Sequence, residues 1–274
     1  MTRRRSRASP GAVLLAVTLA GLTGCLLAVA LAVFQPWLGL QLAADNGAGL
    51  RIVSLAAGSP AARQPELAAP GLRLLAISGQ ALQSEDLIEE PDFFSRYTDM
   101  AAFFERQSGI ASRLAAPTVT LSVAQAGAAP GESTELNLQP AGHRPVAELP
   151  AMFWFQLGCG LAGLMIAAWI WTLRRNDWSA RMFALTGVTC AMAAISAAVY
   201  SCRELAIDGT SFRLLSAINH TGTLSFGMAL IAMFLNFPHR LVAPRWLLVI
   251  PVIFVPWLLA DLLQLAPDLD LGLR

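Results

Sequence analysis

Five apolar runs, each close to the length of a bilayer crossing, constrain this chain more than any other feature. A hydrocarbon core about 30 Å thick takes about 20 helical residues at about 1.5 Å each. Gly11 to Phe34, Pro150 to Leu173, Met182 to Ser201, Leu214 to Phe237 and Trp246 to Ala266 reach that length and are wholly or nearly free of charge. Composition agrees, because 55% of the 274 residues are hydrophobic and only 14% charged, far from the balance of a soluble domain. The expected fold is a polytopic α-helical membrane protein in a lipid bilayer. A net charge of +1 gives no global field for nucleic acid, which is not an expected partner.

The position of the basic residues predicts orientation, since Lys and Arg in short flanks stay on the cytoplasmic side. The opening "MTRRRSR" places residues 1–10 inside, so 11–34 is the first span and residues 36–149 lie outside. "LRRNDWSAR", with Arg174, Arg175 and Arg181, and "PHRLVAPR", with Arg240 and Arg245, are then inner loops and are net basic. The outer loop "CRELAIDGTSFR" balances Arg203 and Arg213 against Glu204 and Asp208, and the outer tail, residues 267–274, is net acidic. The expected site is a cell (bacterial inner) membrane, crossed at 11–34, 150–173, 182–201, 214–237 and 246–266. "LTGC" ending at Cys25 has the shape of a lipoprotein box and "AVA" at Ala28 to Ala30 that of a cleavage site. The apolar run continues past both to Phe34, longer than a cleaved core of about 7–15 residues, so a retained span is expected. Either outcome leaves the soluble stretch outside.

That stretch carries β-rich runs. "LRIVSL" and "LRLLAIS" are bounded by Gly, Pro or Asn, and "TVTLSV" at 118–123 puts Val119, Leu121 and Val123 on one face. Between them "DFFSRYTDMAAFFERQ" spaces Phe93, Tyr97, Met100 and Phe104 as one helical stripe, with Pro91 and Asp92 as start signals. Residues 127–149, rich in Gly, Pro and small residues, read as a stalk or hairpin with "TELNL" as one further strand. His143 has no partner at ligand spacing. The four cysteines, Cys25, Cys159, Cys190 and Cys202, lie in or at the end of apolar runs, which excludes a disulfide-stapled domain and offers no zinc spacing.

The order of these pieces resembles a bacterial PDZ domain over residues 36–126. The matching stretches are Trp37-Leu38-Gly39-Leu40, "GLRIVSL" from Gly49, "GSPAA" from Gly58 and "PGLRLLAISGQAL" from Pro70, with Leu72 where that family usually has Asp. The resemblance implies a small α+β PDZ-like extracytoplasmic domain inserted between spans. In it Trp37, Leu38, Gly39 and Leu40 form a carboxylate-binding loop, and a helix carrying Tyr97, Met100, Ala101 and Phe104 forms the other wall of a groove for a peptide or protein carboxy-terminus. Backbone N–H groups of a tight Gly-containing turn can cradle an anion while a peptide adds as a strand beside an exposed edge.

Intramembrane chemistry finds no motif. "HExxH" and a phosphate-binding "GxxxxGK(S/T)" loop are both missing from the sequence. In "NHTGTLSFG", His220 and Ser225 stand five residues apart, about 500° of helix rotation and off a common face, so interhelical hydrogen bonding is the expected role of these polar groups. Asp261 is the one acidic residue within a span, and snorkelling or pairing with Arg203 or Arg213 is expected of it. No catalytic residue, metal ligand or cofactor is therefore expected in this chain.

One span, an outer module and then closely spaced spans, one ending in "LNFPHR", resemble the amino-terminal half of a multi-span sensor histidine kinase of the competence-pheromone-sensor type. The resemblance implies further spans and a cytoplasmic kinase domain beyond Arg274, which would bring ATP and Mg, and a homodimer. A stand-alone adaptor recruiting envelope proteins, or the input half of a cyclase or phosphatase, are the alternatives left open.

Overall fold

The computed structural model describes residues 9–44, 48–91, 94–128 and 131–265. In chain order its elements are α1 (Pro10–Val33), β1 (Leu40–Ala43), β2 (Leu50–Leu55), β3 (Leu72–Ile77), β4 (Gln80–Ala81), α2 (Tyr97–Leu114), β5 (Val119–Gln125), β6 (Thr134–Leu138), α3 (Ala151–Leu173), α4 (Trp178–Ser201), α5 (Gly209–Phe234) and α6 (Val249–Leu262). Helices α1, α3, α4 and α5, together with a fifth helix formed by the turn Pro244–Leu248 running into α6, are long and apolar enough to cross a membrane. Their large side chains stay uncovered: Leu26 is 70% exposed, Trp169 61% and Val252 70%. Such a surface is stable only against lipid. The chain is a multi-pass membrane protein.

Two of the spans begin a full helical turn or more before the hydropathy runs predict, and the cause is capping. Asp177 Oδ1 accepts the Ser179 N–H at 2.8 Å, which starts α4 at Trp178 rather than Met182. Asp208 Oδ2 accepts the Ser211 N–H at 3.1 Å, which starts α5 at Gly209 rather than Leu214. A carboxylate at this position satisfies backbone donors that the helix cannot, so polar residues ahead of an apolar run are drawn into the helix.

The described residues form two compact units. The first comprises α1 as far as Ala28, then Ala151–Ala198, and the described residues from Leu215. Small residues set its packing: a Cβ on Gly187 would lie 2.3 Å from Ala167 Cβ, and one on Gly222 would lie 2.8 Å from both Ala193 N and Thr189 O. Such close approach of helix backbones is the usual way apolar helices associate without a hydrophobic driving force. Asn219 Nδ2 donates to Ala193 O at 3.0 Å, an interhelical bond of the expected kind. Asp261 departs from expectation, pairing with His220 Nδ1 at 3.0 Å through Oδ2. Arg203 belongs to the other unit, and a partner at hand inside the bundle spares the carboxylate a route to the interface.

The second unit comprises Val29–Pro150 and Val199–Leu214. Its sheet runs in the order β1-β2-β3-β5-β6, with β4 beside β3; all the pairings are antiparallel. The alternation in β5 buries Val119, Leu121 and Val123, as its sequence predicts. "TELNL" forms β6, whose Leu136 and Leu138 face the same core, so the sheet extends into residues 127–149. The predicted helix is present but displaced. It starts at Tyr97 and buries Tyr97, Phe103, Phe104, Gln107, Ile110 and Leu114, whereas Asp92 and Phe93 lie outside the described residues. Met100 is half-buried and Ala101 exposed, because the inward stripe continues toward Leu114 and leaves Ala101 on the outer face.

A buried ion pair fixes this helix to the loop after β4. Asp86 is fully buried and holds Arg106 through both carboxylate oxygens, Nε at 2.5 Å and Nη2 at 2.8 Å. Its Oδ2 also accepts the Gln83 N–H at 2.8 Å, and its carbonyl accepts from Gln107 Nε2 at 3.1 Å. The Asp86 side chain thus meets three donors, which is what a desolvated carboxylate requires.

Candidate functional site

The loop Trp37–Leu40 enters β1 through a left-handed turn at Gly39, φ +84°. An alanine Cβ there would stand 2.1 Å from Ser59 Cβ and 2.4 Å from Ser59 Oγ, so only glycine lets the two segments meet. Ser59 opens the turn in "GSPAA", where its Oγ accepts the Ala62 N–H at 3.0 Å. That turn reaches back to the loop: Ala61 N–H donates to Leu38 O at 3.0 Å, and Ala56 N–H donates to Gly39 O at 2.8 Å. On the preceding residue, Trp37 exchanges both of its backbone bonds with Ala141, each at 2.9 Å. With the carbonyls held from one side, the N–H groups of Leu38, Gly39 and Leu40 converge on the other.

They converge on a carboxylate of the chain itself. Leu38 N–H donates to Glu204 Oε2 at 2.9 Å, and Leu40 N–H donates to Glu204 Oε1. The Gly39 N–H also favours the charged carboxylate, as does nearby Arg144. Burial nevertheless dominates and raises the Glu204 pKa above the usual carboxylate value, because the desolvation of the charge outweighs the donors around it.

Glu204 lies in the connection between α4 and α5, and that connection is tied to the sheet unit along its length. Arg203 donates to Ile88 O and, at 2.8 Å, to Tyr200 O; its guanidinium stands 4.7 Å from the centre of the Phe212 ring. Burial pulls its pKa down to about 10, which leaves it charged at neutral pH. Arg144 Nη1 donates to Cys202 O at 2.5 Å. Leu205 and Ala206 are buried in the same core as Leu38, Leu40, Ile110 and Leu114. Ser108 Oγ bonds to Asp208 Oδ1 at 3.2 Å and accepts the Gly209 N–H at 2.9 Å.

The structure therefore brings Leu38, Gly39 and Leu40 together as a carboxylate cradle, with buried Trp37 beside Gly39. It places the helix residues elsewhere. Phe104 packs edge-on against Phe212 at 5.5 Å, next to Phe103 and Tyr200 in an aromatic cluster, and Tyr97 is buried at the start of the same helix. The helix residues that share a core with the cradle are Ile110 and Leu114, about two to five turns further on. Strand β1 pairs with β2 alone among the described strands. Glu204, Arg144, Arg203 and Phe212 were invisible to motif reasoning. One signal was there: "ELAI" puts Leu205, Ala206 and Ile207 in a connection too short to need apolar residues unless something covers them. No group of three or more potential metal ligands occurs among the described residues.

No family model matches the chain, no curated protein matches it, and no solved structure matches it.

Proposed function

We propose that the chain is the sensory input region of a membrane-bound signalling protein, and that its sheet unit is a PDZ-like receiver for the carboxy-terminus of an extracytoplasmic peptide or protein. The carrying observation is the cradle: three consecutive backbone N–H groups turned toward one carboxylate, leading into a strand that has a described strand on one edge only. A chain end supplies both things this arrangement takes, an anion for the N–H groups and an extended backbone for the edge.

The orientation rests on the arginine-rich flanks, which assign the sheet unit and the α4–α5 connection to the outer side. The packing of residues 199–214 with the sheet unit supports that assignment, because two segments on the same side of alternating spans are free to meet. Helices α4 and α5 both run from this unit into the membrane bundle, so a ligand that alters the connection acts directly on two spans. A receptor needs a ligand with unequal affinity for two states, and a connection held by separable contacts supplies the second state. Output by a two-component histidine kinase, acting as a homodimer with ATP and Mg in a separate catalytic domain, is the form of signalling that the order of elements resembles.

The test is binding of a peptide pool with free carboxy-termini to the whole chain in lipid nanodiscs, against the same pool amidated. Selective capture of the free-acid pool supports the receptor reading. Equal capture of both pools, or of neither by this chain and by its Glu204→Ala variant, contradicts it. Autophosphorylation of the full gene product in membranes, altered by a captured peptide, tests the kinase output.

A further inference from the structure

We infer that Glu204 is a tethered ligand of the 38–40 cradle, so that an external carboxy-terminus binds by displacing it and thereby releases the α4–α5 connection. The inference rests on the receptor reading above and adds how the site is regulated. Both carboxylate oxygens of Glu204 are engaged, one by Leu38 and one by Leu40. The next residues, Leu205 and Ala206, are buried in the core that contains Leu38 and Leu40. Glu204 thus presents the cradle with what a chain end would present, a carboxyl group with an apolar side chain beside it.

Two carboxyl groups cannot share one set of three N–H groups, since both oxygens of Glu204 already take the Leu38 and Leu40 donors. Occupation is therefore exclusive, and the apparent affinity for any external ligand is reduced by the fraction of molecules in which the cradle is open. The contacts on either side of Glu204 do not depend on the cradle. Arg203 is held by Ile88 O and Tyr200 O, and the start of α5 is held by Ser108. Displacement of Glu204 consequently frees the middle of the connection and shifts its load onto the contacts at either end, so that Arg203 and the neighbouring Cys202 loosen with it.

Cys202 reports the release without a ligand of known identity. It is 4% exposed, two residues before Glu204, and burial pushes its thiol up to about 11, so it reacts slowly with maleimide while the connection is docked. The experiment uses the whole chain in nanodiscs with Cys25, Cys159 and Cys190 replaced by serine. Free-acid and amidated peptide pools are titrated against the Glu204 protein and against Glu204→Ala and Glu204→Gln. The expected result is at least tenfold tighter capture of the free-acid pool by Glu204→Ala, a smaller gain for Glu204→Gln and no change for the amidated pool. In the protein that retains Glu204, adding the free-acid pool should accelerate Cys202 labelling, a reading that does not depend on how the variants fold. Equal affinity of the Glu204 and Ala proteins for the free-acid pool, or peptide capture with Cys202 still protected, overturns the tether and leaves the receptor reading standing. Capture by none of the proteins removes the receptor reading. The tether is then judged by Cys202 labelling alone, supported if labelling is at least fivefold faster in Glu204→Ala and overturned if it is unchanged.

Discussion

Replacing Gly39 by alanine tests the geometry on which the cradle depends, and Gly58 provides its control. Both residues have a left-handed backbone, φ +84° and +72°, so each substitution carries the conformational cost of about 1–2 kcal/mol. They differ in what the new methyl meets. At Gly58 nothing lies within 4 Å, while at Gly39 the Cβ would be 2.1 Å from Ser59 Cβ. Relieving that overlap forces the loop off the turn and adds about 1–3 kcal/mol, the usual cost of overpacking. The sum is about 2–5 kcal/mol for Gly39→Ala against about 1–2 for Gly58→Ala. Hydrogen exchange of the whole chain in nanodiscs reads this difference in β5, whose Val119 and Leu121 are buried in the core that Leu38 and Leu40 share. With reclosing faster than chemical exchange, β5 amides should exchange roughly 30-fold to roughly 4000-fold faster in Gly39→Ala and roughly 5-fold to roughly 30-fold faster in Gly58→Ala. Equal acceleration in the two variants would refute the close approach of loop and turn.

Asp86→Ala leaves Arg106 and the Gln83 N–H without their buried acceptor and should destabilise the sheet unit by about 3–5 kcal/mol, seen as loss of β5 protection in the same exchange experiment. Glu204 sets a pH dependence of unusual sign. Its folded pKa is raised above 4.5, so the folded state holds the proton more tightly than the unfolded state does. The stability of the natural protein relative to Glu204→Gln should therefore be highest below pH 4.5 and fall as pH rises through the higher folded value; denaturant melts of the pair across that range would show a flat or rising difference if burial did not dominate. In the bundle, Gly222→Ala meets Ala193 and Thr189 backbone at 2.8 Å, whereas Gly158→Ala meets nothing within 4 Å. The first should lower the thermal midpoint in detergent and the second should not, and equal midpoints would contradict close packing at Gly222.

The spans were legible because hydropathy over about 20 residues is a bulk property that tertiary contacts barely alter. Their ends were not, because Asp177 and Asp208 read as loop charges until their carboxylates are seen capping α4 and α5. The strands showed through alternation and bounding glycines, as in β5. The aromatic stripe in the sequence begins ahead of the helix, since "DFF" and "AFF" offer two equivalent aromatic starts, and only the packing of Ile110 and Leu114 decides between them. Of the cradle, Gly39 was legible from its neighbours Leu38 and Leu40. Its occupant was not: Glu204 stands 165 residues beyond Gly39 in the sequence, and Arg203 beside it makes it look like one half of a solvated charge balance. A carboxylate buried against backbone N–H groups leaves no trace in composition, because its partners are atoms that every residue has.

The account turns on which side of the membrane holds the sheet unit. A single cysteine at Val53, on the exposed face of β2, can be challenged in spheroplasts with a maleimide that does not cross lipid, alongside a second protein with its cysteine at Arg240. The account predicts that Val53→Cys is labelled in sealed spheroplasts and Arg240→Cys only after lysis. The reverse pattern would put the cradle in the cytoplasm and contradict its role as a receiver of external chain ends.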